Sequence, residues 1–558
     1  MLLFIAAAGG TIWWKVSHSA NTSYIVPSYI AKPNPIMFRG EWTEQYARGN
    51  EEGLLIPISI ASLLLGDGVR YEEETESIIL TSDTKVMHFK TGELDATLNR
   101  KPSTLRFAAK KQDDILYLPI APLKKLFGIR VEIADNSGIV TLYEPGEEIR
   151  HAKVPLKKEK GIKLREGPAI SYPIVEDLLP GTDVRLMEET EEGWYKVQSA
   201  SGHLGYIAKS AVEPGELETI PPEAADDEPF VAWKSEGKKI NLTWEAVYSA
   251  NPNTGKIGEL TGVNVVSPTW FELVDGKGNV RSNADAAYVK WAHGKGIQVW
   301  GLLSNGFEPD RTTEALSSYE SRNAMIQQML AYAKTFKLQG VNIDFENVYT
   351  KDKDNLVQFV REMTPLMHDQ NLVVSIDVTA KSGSEMWSAF LDRRRLGASV
   401  DFMMLMAYDE HWAASPIAGS VSSMPWTENS VRRILEEDDV PPEKFILGVP
   451  LYTRIWTEEP DGQGGIKVSS KTMSMNAVND LLREKKLKPV FSEESGQNYV
   501  EFKEGETLKK IWIEDATSMK ARAELARKYD LAGVASWRRG FESEDIWGVL
   551  DQALQGVS

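Results

Sequence analysis

At 558 residues, 42% hydrophobic and 26% charged, the chain is too long for a single core and has the composition of a soluble globular protein with several domains. A formal net charge of -18 offers no basic stripe for phosphates, so no nucleic-acid partner is expected. With no cysteine, disulfides and thiolate chemistry are excluded; the seven histidines include no HxxxH pair, and neither a metal site nor a cofactor is expected.

In chain order, residues 1–14 (MLLFIAAAGGTIWW) form an apolar run that ends at Lys15. It is shorter than the roughly 17–25 residues of a membrane span and suits a signal-peptide h-region without its basic n-region. Residues 1–22 are therefore expected to be a signal peptide or membrane anchor, with a buried core helix as the alternative. Export of a cysteine-free chain points to an extracellular or envelope location of Gram-positive type. Residues 23–150 contain an internal echo: LIPISIA at 55–61 and YLPIAPL at 117–123, each followed by a short amphipathic helix and a strand pair (69–81 and 129–143). Such a repeat implies one compact α+β module. It is similar to the stalk-type domain first named from the N-terminal region of copper amine oxidases, and nothing in it suggests catalysis or copper.

Residues 158–213 change to short strands at 162–165, 183–186, 194–197 and 205–207, punctuated by LPG and SG turns. The phrases LREGP, GWYKV and GYI resemble a bacterial SH3-like β-barrel, as a wall-binding module or a spacer. Residues 214–229, acidic and Pro-rich, read as a solvated linker. Residues 230–558 alternate strands (240–247, 262–268, 297–303, 340–346, 373–378, 402–408, 445–451, 533–537) with helices (286–293, 322–336, 356–370, 385–396, 518–529). Eight strands with intervening helices predict a (β/α)8 TIM barrel, and residues 457–517 read as a small α+β insertion before its last strand.

The fourth strand carries the strongest signal. In LQGVNIDFEN (338–347) the polar residues Asn342, Asp344 and Glu346 fall on one face, and Val341, Ile343 and Phe345 on the other. Two carboxyls on one face of a buried strand are costly unless used, and burial lets a glutamic acid hold a proton near neutral pH. The plain alternative is an amphipathic strand whose acids face water. The run GVNIDFE resembles the DGxDxDxE signature of family 18 glycoside hydrolases, with Gln339 and Asn342 where the fullest motif has Asp. A neutral Asn342 is expected to leave Asp344 without a like-charge neighbour to raise its pKa. LMAYD (405–409) resembles the family's MxYD motif, GVPLYTRIW (448–456) its GxPxYGRxW run, and strand eight ends in Trp537.

The resemblance implies a glycosidase with three catalytic residues. Glu346 would protonate the glycosidic oxygen and later activate water, Asp344 would orient the substrate acetamide N–H, and Tyr408 would hydrogen-bond the acetamide oxygen. Asn342, Asp409, Arg454 and Trp537 are implied substrate contacts, Trp537 as an aromatic floor. Trp270, Phe271, Ser304, Asn305, His411, Trp412 and Trp456 fall in expected strand-to-helix loops, where a glycan cleft or plain packing would use them. The implied partner is a glycan polymer containing N-acetylglucosamine, either peptidoglycan or chitin, cut by a monomer. The phrases GVNIDFENV and LMAYDEHW resemble the peptidoglycan-active branch, including spore-cortex N-acetylglucosaminidases. A chitinase and a catalytically silent glycan-binding surface protein are the alternatives.

Overall fold

The computed structural model describes residues 20–221, 230–233, 238–460 and 465–556, and the chain divides into two compact units, Met1–Glu228 and Pro229–Ser558. Residues 1–19 of the expected leader and 222–229 of the expected linker lie outside the described residues. Among the described residues no helix is long and apolar enough to cross a membrane.

In the first unit the two halves of the internal repeat pair with each other. Strands Leu55–Pro57 and Ile115–Pro119 run antiparallel, Ile56 opposite Leu118, and each leads into an eight-residue helix, Ile58–Leu65 or Ile120–Phe127. Their apolar faces share one core with Ile36, Ile78, Leu80 and Val140. The following module is a seven-stranded antiparallel sheet over Leu164, Val184, Val197 and Ile207. It is larger than the sequence pattern indicated. Strand Glu148–Lys153, assigned in part to the stalk-type module, pairs with Asp183–Glu189 and with Glu213–Thr219. Residues 213–219 are thus a strand and not solvated linker. Their side chains are mostly exposed, so the sequence looks loop-like, while the backbone bonds are supplied by the neighbouring strand.

The second unit contains eight parallel strands: β1 (Ile240–Glu245), β2 (Val265–Pro268), β3 (Gln298–Ser304), β4 (Gly340–Asp344), β5 (Val373–Thr379), β6 (Phe402–Met406), β7 (Phe445–Pro450) and β8 (Gly533–Trp537). They pair in chain order, and β8 returns to β1 with Ile240 opposite Gly533, which closes the barrel. Helices α1 (Ala286–Gly294), α2 (Pro309–Ser317), α3 (Tyr319–Phe336), α4 (Lys353–His368), α5 (Arg393–Ser399), α6 (Met424–Glu437), α7 (Met475–Lys485), α8 (Ala516–Lys528) and α9 (Ile546–Gln555) accompany them. The lower barrel interior is filled by Leu242, Trp300, Phe402, Met404 and Ile446, Trp300 stacking on Phe402 at 5.6 Å. All eight expected strands are present within a few residues. The expected helix at 385–396 is broken, because the Asp392 side chain accepts the Arg395 N–H and so starts α5 afresh after a separate turn, Glu385–Ala389.

The insertion begins earlier than 457. Immediately after β7 the chain enters strand Tyr452–Pro460, which pairs with Ile466–Ser474 and Thr507–Ile513, and α7 covers that sheet. The return to the barrel is set by Asp515, which caps α8 in a reciprocal capping box with Ser518. Residues 452–456 therefore stand on the insertion and not on the seventh barrel strand.

β4 is held on both sides. Val341 and Ile343 are buried away from the polar row, and just beyond the strand Phe345 stacks on Phe359 of α4 at 5.6 Å. A Cβ on Gly340 would lie 2.7 Å from the Trp300 ring, so only glycine lets the strand start there. Behind it, Arg322 of α3 and Glu362 of α4 form a fully buried two-pronged ion pair, Nη2 to Oε1 at 2.7 Å and Nε to Oε2 at 2.9 Å. Removing one partner strands a charge in the interior. E362A is expected to cost about 3–5 kcal/mol in chemical denaturation of this unit, and the apolar double variant R322M/E362M distinctly less. Equal losses in the two would contradict this account of the pair.

Candidate active site

The acid row of β4 faces the barrel interior, as the alternation requires. Asn342 lies deepest. Its Oδ1 accepts from Trp244 Nε1 (2.9 Å, β1) and Ser267 Oγ (3.0 Å, β2), and its Nδ2 donates to Asp377 Oδ1 (3.0 Å, β5). Because an indole N–H can only donate, the amide has one workable orientation. Asn342 is thus a fully buried strut between four strands and not a substrate contact. Gln339, the other departure from the fullest motif, sits before the strand and accepts the Val299 N–H of β3 at 3.0 Å, away from the acids.

Asp344 ends β4 with 9% exposure, and its Oδ1 accepts no hydrogen bond among the described residues. Burial pushes its carboxyl up to about 7. Burial alone accounts for this rise, as expected with a neutral Asn342 beneath Asp344. Yet Asp344 does have an acidic neighbour, Asp377, a buried acid on the adjoining strand that the sequence reading did not single out and whose own carboxyl the charge of Asp344 raises. The signal was present, as the lone charge inside the apolar run VVSIDVT.

Glu346 follows the strand and is half-buried. Its carboxyl is raised well above the usual range, first by burial and then by the charges of Asp344 and Asp409. Its backbone is clamped by Asn305, whose Oδ1 accepts the Glu346 N–H (3.1 Å) and whose Nδ2 donates to the Glu346 carbonyl (2.7 Å) and to Thr312 Oγ1 (2.9 Å). Tyr408, two residues past β6, feels Asp377, Asp344 and Glu346 together; burial and these acids raise its hydroxyl well above 10. The structure therefore brings Glu346, Asp344 and Tyr408 into one electrostatic neighbourhood at the C-terminal ends of the strands, where barrels of this kind gather their chemistry.

Asp409 takes a left-handed backbone (φ 59°) and is exposed. Its Oδ1 accepts from Tyr452 Oη at 2.7 Å and Arg454 Nη2 at 2.8 Å, both from the insertion. Tyr452 is buried, and its place within the GVPLYTRIW run was the one sequence signal for it. Arg454 is buried to 7% exposure and also donates to Thr472, so it holds Asp409. Trp537 ends β8, half-buried, with its ring 6.0 Å from Trp244 in an edge contact. Of the looser candidates, Trp270, Phe271 and Trp456 are core: Trp270 donates to Asn251, Phe271 stacks on Tyr332, and Trp456 donates to the Gly419 carbonyl. Ser304 Oγ accepts the Gly306 N–H, His411 Nδ1 meets the Ser420 carbonyl, and Trp412 is 55% exposed.

Cleaving an acetal bond calls for an acid kept protonated near neutrality and aimed from a dry wall into a cleft. A closed barrel with a buried acid of raised pKa, Glu346, at the C-terminal rim is compatible with that chemistry. Residues 296–542 match Glycosyl hydrolases family 18, and the C-terminal unit is a member of that family. Residues 160–213 match the bacterial SH3 domain and residues 44–142 the copper amine oxidase N-terminal domain. The chain is similar to the uncharacterized glycosylase YvbX of Bacillus subtilis, 26% identical over 339 residues, which are 58% of this chain and 94% of that protein. It is 22% identical over 263 residues to the cortical fragment-lytic enzyme of Bacillus subtilis, covering 46% of this chain and 60% of that protein. In fold it is similar to the spore cortex-lytic enzyme SleL of Bacillus megaterium, with a TM-score of 0.51, 19% identity, and coverage of 61% of this chain and 77% of that one.

Two outcomes follow from this geometry. N305A removes the backbone clamp, not an acid, and should lower kcat about 10- to 100-fold while KM moves less than about 3-fold; steady-state kinetics read the split. The second concerns stability. An acid raised by burial keeps a proton in the fold that the unfolded chain has lost, so between about pH 4 and 7 stability falls as pH rises, and it stays low above. D344N removes this penalty. Its melting temperature should match wild type near pH 4 and exceed it by about 2–5 °C at pH 8; a constant offset across pH would contradict the assignment.

Proposed function

We propose that the protein cleaves β-1,4 bonds after N-acetylglucosamine in peptidoglycan, with retention, by letting the substrate's own 2-acetamido group attack the anomeric carbon. The observation that carries this reading is the shared burial of Glu346, Asp344 and Tyr408 at one strand-end site, where their charges compete. Glu346 gives its proton to the glycosidic oxygen, and the acetamide carbonyl closes on the sugar carbon as the bond breaks. Asp344 accepts the acetamide N–H and stabilises the positive oxazolinium ring, and the Tyr408 hydroxyl holds the acetamide oxygen in line. The deprotonated Glu346 then takes a proton from water, which opens the ring and restores the sugar configuration. Asp409, held by Tyr452 and Arg454, contacts sugar hydroxyls, and Trp537 supplies an apolar floor.

The choice of peptidoglycan over chitin is supported by the likeness to a cortical fragment-lytic enzyme and by the SH3-type module, which fits attachment to an envelope. The same features support an extracellular or envelope-associated location. The test is release of reducing ends from purified peptidoglycan and from chito-oligosaccharides by wild type and E346Q, with mass analysis of the products. Wild type should release muropeptide fragments ending in reducing N-acetylglucosamine, and E346Q should lose at least about 1,000-fold in kcat. Equal rates in the two would remove Glu346 from the mechanism. Binding without turnover in both would favour a glycan-binding protein.

A further inference from the structure

Asp377 is the buried acid that this mechanism leaves unused. Its place is fixed by strand register: β4 and β5 pair with Asn342 opposite Ser375 and Ile343 opposite Ile376. One step further the same register sets Asp344 beside Asp377, and paired strands stand only about 4.8 Å apart. Both side chains are on the inner face, Asp377 because it meets Asn342 diagonally. The groups that face the two carboxyls are Glu346 beyond β4, Tyr408 beyond β6 and, further out, Asp409. Among the described residues no ion pair reaches either acid.

Two carboxyls this close in a dry interior do not both ionise, so one holds a proton. The hydrogen-bond inventory shows which oxygen of Asp377 is open to it. Trp244 can only donate, so it fixes Asn342 Oδ1 toward itself and Nδ2 toward Asp377 Oδ1, which must therefore accept. That leaves Asp377 Oδ2 as the oxygen free to carry a proton. Asp344 Oδ1 is the complementary group: buried and accepting nothing, at a position where an ionised carboxylate needs a donor.

We propose that Asp377 is a protonated positioning residue whose Oδ2–H donates to Asp344 Oδ1, so that β5 supplies the carboxyl that position 342 of β4 lacks. This rests on the reading of Asp344 and Glu346 given above. The donated hydrogen bond favours the anionic form of Asp344 against its burial, and leaves the rest of that carboxylate for the substrate amide. Burial and the charge of Asp344 drive the Asp377 carboxyl well above its ordinary range, outweighing the hydrogen bonds from Asn342 and Trp244 that favour its anion, in the direction this assignment needs.

The amide of D377N has the shape and hydrogen-bonding pattern of a protonated aspartate: its oxygen accepts from Asn342 and its N–H donates to Asp344. D377A has neither. The expected result is that D377A lowers kcat about 30-fold with KM within about 3-fold and moves the acid limb of the kcat/KM profile up by about one pH unit, whereas D377N recovers most of kcat and restores the limb. Equal impairment of both variants would overturn the proposal, because Asp377 would then act by its negative charge; wild-type behaviour of D377A would overturn it as well. Infrared difference spectra at pH 7, of E346Q against E346Q/D377N, need neither turnover nor D377A. The carbonyl band of a protonated carboxyl should be lost with D377N, and identical spectra would overturn the proposal. Should wild type turn over no glycan, the functional reading fails on its own while this spectrum still reports the proton on Asp377.

Discussion

The site depends on one buried amide. Asn342 draws a donor from β1, another from β2 and an acceptor from β5, so a single side chain sets the spacing of four strands beneath the acids. Any loss at this point leaves several polar groups unpaired in the interior, where each costs more than the bond it replaced would have contributed. Above this floor Asp344 ends β4 and Glu346 follows two residues beyond it. Their raised pKa values are a consequence of position: dry surroundings for both, and for Glu346 also crowded like charge, produced by strand alternation and barrel closure.

The mouth of the site is built differently. There the barrel strands have ended, and Asp409, Tyr452 and Arg454 come from a loop and from an inserted sheet. Tyr452 and Arg454 alternate on one face of the first insertion strand, which is why a single strand can hold Asp409 with two donors. The left-handed backbone at Asp409 turns the chain sharply after Tyr408, so that the two neighbouring residues serve different partners. Glu346 is held from a third direction, through its backbone, by Asn305 at the start of the β3–α2 connection. A rigid floor with a mouth assembled from connections is the usual division of labour in barrels of this type.

The sequence determined a great deal. Period-two alternation in GVNIDFE places the acids on one face, the order of eight apolar runs and intervening helical patterns specifies a closed parallel barrel, and the echo of LIPISIA in YLPIAPL marks a duplicated module whose halves pair. Glu346, Asp344 and Tyr408 are legible because their surroundings are written in adjacent residues. The strand at 213–219 is not, since its pairing comes from backbone groups of a distant strand while its own side chains stay in water.

Only the tertiary structure decided which side chains meet. Asp377 adjoins Asp344 by the register of β4 against β5, Asn305 reaches Glu346 across 41 positions, and Tyr452 and Arg454 reach Asp409 across more than 40. The same closure turned Trp270 and Trp456, which read equally well as cleft aromatics, into core residues whose indole N–H groups are spent on Asn251 and Gly419. The physical reason is that periodicity reports the face of a strand or helix on which a residue lies, a local property. What stands opposite that face is fixed by pairing register and chain closure between segments far apart in sequence.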